Sequence, residues 1–255
     1  MIRMAITITF GNQKGGVGKS TTAATTAFLL SEMGYKVLAI DMDSQANMVQ
    51  MLANTDNLLQ YENNTIKEAL ELGDVRPFVL SITNQLHFVP SDDFLVLINE
   101  NRNIYLLKEA LEPVQSLYDF IIIDTPPALS KQTINSMMVS DYIVVMFQTE
   151  KLPYNALPRF LDTIDGAIEA GNKSLKVAGI LTTLVDGRRK DGKELLELVH
   201  KEYKELIFKT VIPRTAKISR LSVYGFFDNP ELEEAIESHR EFLKELLNYV
   251  ETNSK

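Results

Sequence analysis

A loop of glycines and lysines near the start of the chain, residues 14–21, constrains the fold more than any other feature of this sequence. An alternating apolar run typical of a β-strand precedes it, formed by Met4, Ile6, Ile8 and Phe10. A helix-compatible stretch, residues 20–33, follows it. Three glycines within four residues let successive backbone N–H groups turn inward at the helix start, where they form a concave anion site. The loop therefore predicts a nucleotide-phosphate site between a strand and a helix.

The loop reads Lys14-Gly15-Gly16-Val17-Gly18-Lys19-Ser20-Thr21. It departs from the general pattern G-x-x-x-x-G-K-[ST], because Gln13 occupies the place of the first glycine and a second lysine, Lys14, precedes the glycines. We expect Lys19 to reach the β- and γ-phosphates and the Ser20 hydroxyl to ligate Mg²⁺. All eight loop residues are candidates for nucleotide contact.

Carboxylates follow two other predicted strands. Asp41 and Asp43 come at the end of the second strand, and strand alternation places both side chains on the same side of the chain. Asp124 ends an apolar run, and two prolines shortly after it halt the strand. Ligands of α/β proteins bind at the carboxyl ends of the strands. These residues therefore favour a magnesium site beside the phosphate loop.

Short β-rich runs alternate with helical stretches along the chain, which predicts βαβ units. The expected fold is α/β, a mainly parallel twisted sheet with helices on both faces, in a single domain of residues 1–255. The predicted strands are 4–10, 36–40, 86–89, 120–123, 142–147, 177–184 and 207–211. The predicted helices are 20–33, 65–72, 103–117, 131–139, 158–170, 193–205 and 231–250, and residues 54–64 are expected to form a loop.

Composition excludes several classes of protein. Cysteine is absent, so neither disulfides nor thiolate metal sites can form. The apolar runs are strand-sized and no leader sequence precedes the first strand, so we expect a cytoplasmic protein. The C-terminal stretch from Glu231 has an apolar stripe but carries seven glutamates against Arg240 and Lys244. Anionic lipid would repel such a helix, so we expect no membrane binding and predict that it packs against the sheet.

The net charge of −8 hides a basic region. Residues 188–220 contain ten Lys and Arg against five Asp and Glu. The helix 193–205 in this region has the spacing of i,i+4 ion pairs, which favours a solvated surface. Five cations flank it without acidic partners and are candidates for contact with DNA phosphates: Arg188, Arg189, Lys190, Lys217 and Arg220.

The stretch Asn12–Thr21 resembles the deviant Walker A motif of the ParA/MinD ATPases, which are P-loop NTPases, and the Asn-Gln lead-in favours the ParA branch. Residues 41–47 resemble the A′ motif of that family, with Ser44 in place of its usual proline, and residues 120–124 resemble a Walker B strand. The resemblance extends over residues 6–225. The nitrogenase iron protein has a similar loop but needs cysteines for its cluster, so that branch is excluded.

The resemblance implies a role for each candidate residue. Lys14 would reach across an ATP-bound homodimer to the phosphates of the partner, where a cation stabilises charge on the transferring phosphoryl group. With Lys19 and with Asp43, which would hold the attacking water, it forms the candidate catalytic set. The candidate magnesium ligands are Ser20, Asp41 and Asp124.

In the same family an I-P-R motif, here at residues 212–214, is associated with the adenine pocket, which implies adenine contacts at Pro213 and Arg214 and makes Lys217 the leading DNA contact. The implied function is a partition ATPase that uses ATP and Mg²⁺ at the nucleoid. It would dimerise on ATP, bind nonspecific double-stranded DNA, and hydrolyse ATP slowly under stimulation by a ParB-like centromere-binding protein. The short stretch before the first strand resembles the ParA type without its own helix-turn-helix domain. Two alternatives are a MinD-like or cargo-positioning ATPase and a metabolic P-loop enzyme such as a biotin-pathway ligase.

Overall fold

The computed structural model describes residues 4–98, 103–185 and 190–253, with the backbone alone described at 151–153 and 190–191. One sheet contains β1 (Ile6–Gly11), β2 (Val37–Asp41), β3 (Leu80–Ser81), β4 (Leu86–Val89), β5 (Phe120–Asp124), β6 (Tyr142–Gln148), β7 (Lys176–Val185) and β8 (Ile207–Pro213). Their order across the sheet is β3-β4-β2-β5-β1-β6-β7-β8. Only the β3–β4 pair is antiparallel among these strands, so the predicted mainly parallel sheet is confirmed.

The helices are α1 (Lys19–Glu32), α2 (Asn47–Ala53), α3 (Ile66–Leu72), α4 (Leu106–Leu111), α5 (Lys131–Val139), α6 (Lys151–Ala170), α7 (Lys190–Glu202), α8 (Ala216–Tyr224) and α9 (Leu232–Asn253). Short 3₁₀ turns occur at Leu58–Tyr61, Arg76–Phe78, Asp93–Leu97 and Glu112–Val114. The N-terminus of α3 is closed by a capping box in which Thr65 and Glu68 satisfy each other's backbone N–H groups.

Helices cover both faces of the sheet because its central strands are apolar on both sides. In β5, Phe120 and Ile122 point into a core that also contains residues of α1, α2, α8 and α9. The alternate residues Ile121 and Ile123 point into the opposite core, which they share with α3 and α4. A strand buried on both faces has this uniformly apolar composition, and it places Asp124 at the carboxyl edge of the sheet.

Several predicted boundaries were wrong. Helices α2 and α8 and the two-residue strand β3 were not predicted. Helix α6 begins at Lys151 and contains Pro158, which the sequence had suggested as its first residue. The predicted helix 103–117 is shorter, because the chain forms α4 and then continues into a 3₁₀ turn whose second residue is Pro113.

Helix α9 packs its apolar stripe against the sheet, as predicted. Its inward side chains, among them Ile236, Phe242 and Leu246, are buried in the core shared with α1 and β1. On the same helix Glu245 accepts hydrogen bonds from two consecutive backbone N–H groups of β8, those of Lys209 at 2.7 Å and Thr210 at 3.1 Å. Among the described residues, no helix has the length and apolarity needed to cross a membrane.

Candidate active site

Side chains of neighbouring strands hold the phosphate loop, residues 14–21, at the carboxyl end of β1. Asn12 donates a hydrogen bond through Nδ2 to the Met146 carbonyl oxygen of β6, and its Oδ1 accepts one from the Lys14 N–H at 2.8 Å. From β7, the Thr183 hydroxyl lies 2.6 Å from the Val17 carbonyl oxygen. The loop is therefore tied to the two strands that follow β1 on this side of the sheet.

Two glycines give the loop its curvature. Gly16 and Gly18 have φ angles of 74° and 78°, in the left-handed region that favours glycine. Gly18 is the N-cap of α1 and has no side chain to cap it, so the first N–H groups of the helix remain available to an anion. The predicted anion-binding geometry at a helix N-terminus is present.

Lys19 and Asp124 lie buried at the base of the loop. The pKa of Asp124 is raised to about 7, because burial outweighs the lowering by the Lys19 ammonium and the Ser20 hydroxyl. Burial also lowers the pKa of Lys19, while the charges of Asp124 and Asp43 raise it. Neither carboxylate oxygen of Asp124 accepts a well-formed hydrogen bond from the described residues. A buried carboxylate in this state is costly, so the site is suited to a bound cation.

The two aspartates that follow β2 differ in their surroundings. Asp41 is fully buried, and its oxygens accept hydrogen bonds from the backbone N–H groups of Asp43 at 3.0 Å, Met48 at 3.1 Å and Val49 at 3.2 Å. Burial, reinforced by the charge of Asp124, raises the pKa of Asp41 well above its ordinary value. Asp43 lines the cavity beside the loop, and burial raises its pKa while the Gln45 N–H and the charge of Lys19 lower it. Asp41 thus shapes the segment that presents Asp43.

A cavity of about 360 Å³ lies against the phosphate loop. Its described lining includes side chains that the sequence did not suggest, Gln50 and Met51 of α2 and Ser219 and Ser222 of α8. They were missed because neither helix was predicted, although Thr215 directly before α8 has the residue type of an N-cap and its hydroxyl accepts the Ile218 N–H at 3.2 Å.

The expected adenine contacts, Pro213 and Arg214, stay a prediction, because adenine would lie beyond the phosphate cavity. Pro213 and Arg214 are not among the described residues that line this cavity. Arg214 is exposed, and its backbone N–H donates to the Val185 carbonyl oxygen at 3.0 Å, which joins the end of β8 to the end of β7.

The candidate DNA contacts on α8 are paired with two acidic residues at the start of α9, Glu234 inside the helix and Glu231 directly before it. Lys217 forms an ion pair with Glu234, and Arg220 donates two hydrogen bonds of 2.8 Å to the Glu231 carboxylate. The expectation that these two cations lack acidic partners was wrong, because the partners, at positions 231 and 234, follow α8 at a spacing beyond the i,i+4 pattern. The pairing of the other three candidates is not described, because Arg188, Arg189 and the side chain of Lys190 lie outside the described residues.

The residues around the loop fit a nucleotide with Mg²⁺. The left-handed glycines and the free helix N-terminus suit phosphate oxygens, and Asp124 with Ser20 supplies the oxygen ligands that Mg²⁺ prefers. No cluster of three or more acidic or histidine side chains able to hold a metal occurs in the described part of the chain. Phosphate oxygens and water would therefore complete the coordination, as is usual for Mg²⁺.

Comparison with known proteins agrees with this geometry. A family model described as an AAA domain matches residues 5–177. The chain is 35% identical over 228 residues to the chromosome partitioning protein ParA of Myxococcus xanthus, across 86% of this chain and 78% of that protein. It is 32% identical over 234 residues to the sporulation initiation inhibitor protein Soj of Bacillus subtilis, across 86% of this chain and 88% of that protein. The chain belongs to the ParA/Soj family of ATPases.

Solved structures show the same fold for this ParA/Soj chain. A putative plasmid partition protein of Borrelia burgdorferi bound to AMPPNP superimposes with a TM-score of 0.78 at 28% identity, over 94% of this chain and 99% of that chain. A cobyrinic acid a,c-diamide synthase of Mycobacterium smegmatis with a bound ATP analog and magnesium gives a TM-score of 0.78 at 30% identity, over 96% and 95%. The P-loop α/β fold is confirmed, and the chain is an ATPase.

Proposed function

We propose that this chain is a partition ATPase that works as a switch on DNA. Two copies close around ATP with Mg²⁺, the dimer binds double-stranded DNA without sequence preference, and a ParB-like centromere-binding protein stimulates slow hydrolysis. Loss of the γ-phosphate then releases both the partner subunit and the DNA. The protein acts in the cytoplasm, associated with the nucleoid. The names of the partition proteins among its relatives support this proposal.

The proposal depends most on the surroundings of Lys14. The loop already has a lysine of its own at the phosphate position, Lys19, held between Asp124 and Asp43. Lys14 is only half-buried, and no carboxylate in the described part of the chain forms an ion pair with it. A second cation on the open side of a phosphate site can neutralise charge on the nucleotide of another subunit, which makes pairing depend on the γ-phosphate.

The other site residues would act on the nucleotide of their own subunit. Lys19 would hold the β- and γ-phosphates, and Asp124 with Ser20 would hold Mg²⁺, which would neutralise phosphate charge. Asp43 orients the attacking water from the wall of the cavity. Asp41 supports Mg²⁺ indirectly, because its oxygens are engaged by the backbone that positions Asp43 and α2.

The DNA step is testable by retention on nonspecific duplex DNA. We expect retention with Mg·ATP and not with Mg·ADP, and an affinity that falls on the order of 10²-fold or more between 50 and 200 mM salt, because phosphate contacts release counterions. Lys217→Ala is expected to lower the slope of log affinity against log salt by about 1. The matched control is Lys244→Ala, which removes another ion-paired lysine, on α9. Equal retention with both nucleotides contradicts the proposal.

The similarity to the cobyrinic acid a,c-diamide synthase favours a second candidate, a metabolic P-loop enzyme. Such an enzyme turns over when its small-molecule substrate is present and is indifferent to DNA. Sedimentation with Mg·ATP, with and without DNA, separates the two candidates, because only the switch predicts a nucleotide-dependent dimer that co-sediments with DNA.

A further inference from the structure

The carboxyl end of β7 contacts the phosphate loop through one buried side chain. The Thr183 hydroxyl lies 2.6 Å from the Val17 carbonyl oxygen and 3.1 Å from that of Phe147. Both neighbours are acceptors, and a hydroxyl has one proton to donate. The shorter contact identifies Val17 as the acceptor. Thr183 and Val17 are both buried, so water does not replace this bond.

This bond fixes the direction of one peptide group in the loop. The Val17 carbonyl and the Gly18 N–H belong to the same planar trans peptide, so they point in opposite directions. Holding the carbonyl toward β7 therefore turns the Gly18 N–H away from β7. Gly18 lines the cavity beside the loop and is the N-cap of α1, where an N–H group suits a phosphate oxygen.

The residue after Thr183 shows how closely β7 follows the loop. Leu184 has a φ angle of 54°, a left-handed conformation that is uncommon and strained for leucine. A Cβ added to Gly18 would lie 3.9 Å from the Leu184 Cγ, and Leu184 itself lines the cavity. Thr183 and Leu184 therefore both lie close to Gly18 of the loop.

We propose that Thr183 is a positioning residue of the nucleotide site. It acts through Val17: its hydroxyl orients the Val17–Gly18 peptide so that the Gly18 N–H faces the phosphates before nucleotide arrives. The inference rests on nucleotide binding by a single subunit and is independent of dimerisation and of DNA, so its test can fail while the switch proposal stands, and the reverse.

The chain provides a matched control in the preceding residue. Thr182 is also fully buried, but its hydroxyl has no hydrogen-bond partner among the described residues. Thr183→Val and Thr182→Val each replace a hydroxyl by a methyl group of similar size, and only the first removes a donor to the loop. Thr183→Ser keeps the donor and is the conservative variant.

The experiment measures the dissociation constant of Mg·ADP for the full chain by calorimetry, together with the thermal midpoint of each variant. We expect Thr183→Val to weaken binding about tenfold, Thr183→Ser to stay within about twofold of the parent chain, and Thr182→Val to leave affinity unchanged. Equal affinity in Thr183→Val and the parent overturns the proposal. So does equal weakening in Thr182→Val, since that shows a general effect of core substitution.

Should Thr183→Val fail to fold, Thr183→Ser and Thr183→Ala answer the same question, because both lack the methyl group and only the serine retains the hydroxyl. Tighter binding by serine than by alanine supports the positioning role, and equal binding overturns it. The KM for ATP should follow the same order, with kcat changing less than KM, because Gly18 contacts the phosphates in the ground state.

Discussion

The cations of this protein lie in two regions that differ in what surrounds them. At the phosphate loop Lys19 is buried among carboxylates that themselves need a cation, and Lys14 has no carboxylate partner in the described part of the chain. On α8, Lys217 and Arg220 are paired at the protein surface with Glu234 of α9 and with Glu231, directly before that helix. The first region is prepared for a ligand of high negative charge. The second must give up an existing ion pair before it can bind one.

This difference teaches that pairing, rather than the number of basic residues, decides how strongly a region can respond to phosphate. A buried cation contributes strongly because the local dielectric is low. Exposed ion pairs such as those on α8 are worth about 0–1 kcal/mol and are screened by salt. Mutations in the first region should therefore have large effects and those in the second small ones.

The largest effect is expected from Lys19→Ala. Removing the buried ammonium leaves Asp124 and Asp43 without the cation that stabilises them and removes the contact proposed for the β- and γ-phosphates. We expect kcat/KM for ATP to fall on the order of 10³-fold, measured by phosphate release. Lys108→Ala, which removes an exposed lysine of α4, is the control and should change it little. A loss of less than tenfold in kcat/KM for Lys19→Ala would contradict the expected difference between the two regions in their response to phosphate.

The next effect separates the two lysines of the loop. Lys14→Ala should bind Mg·ADP within about threefold of the parent, because Lys19 keeps its position, but should lose ATP-dependent dimerisation and at least tenfold in hydrolysis. Sedimentation with Mg·ATP measures the dimer. Normal pairing and turnover in this variant would refute the action of Lys14 in a second subunit.

A third effect concerns Asp124 and pH. Since burial raises its pKa to about 7, its proton competes with Mg²⁺ below that pH, and affinity for Mg²⁺ in the presence of ADP should rise about tenfold from pH 6 to pH 8. Without nucleotide, the stability contributed by this group should fall as pH rises from 3.8 toward 7, because the unfolded chain loses the proton first. Asp124→Asn should show neither dependence in parallel titrations, and an unchanged pH profile in that variant would assign the dependence to another group.

The smallest effect is expected on α8. Glu231→Gln removes the charge that pairs with Arg220 and should raise nonspecific DNA affinity about two- to threefold at low salt, with a change in unfolding free energy below about 1 kcal/mol. Glu233→Gln is the control, because Glu233 pairs with Arg240 of its own helix. If both variants gain DNA affinity equally, the cause is the change in net charge and not the release of Arg220.

Local sequence patterns predicted the elements that depend on local chemistry. The phosphate loop, β5 with its terminal Asp124, and the capping box at Thr65 and Glu68 all form as expected, because their glycines, apolar run and capping side chains act within a few residues. Helix α5 was predicted with the bounds it has in the structure.

The remainder depends on contacts between distant residues. Helix α2 has seven residues and follows Ala46, which has a left-handed φ of 50°; its N-terminal N–H groups are satisfied by Asp41 of β2, a contact that no local pattern contains. The ion pairs of Lys217 and Arg220 join α8 to the segment at the start of α9, a spacing that no pattern within one helix contains. Thr183 and Val17 are 166 positions apart in the sequence, so the hydrogen bond between them could not be predicted from a local pattern.

The carboxylate of Glu245 against β8 has a consequence for how copies of this protein can assemble. β8 is an edge strand of the described sheet. Glu245 already accepts hydrogen bonds from its Lys209 and Thr210 N–H groups, so these are not available to a strand of another molecule. The opposite margin is the two-residue β3, too short to act as a template. Extending the sheet from one molecule to the next at β8 would therefore require Glu245 to release these N–H groups first.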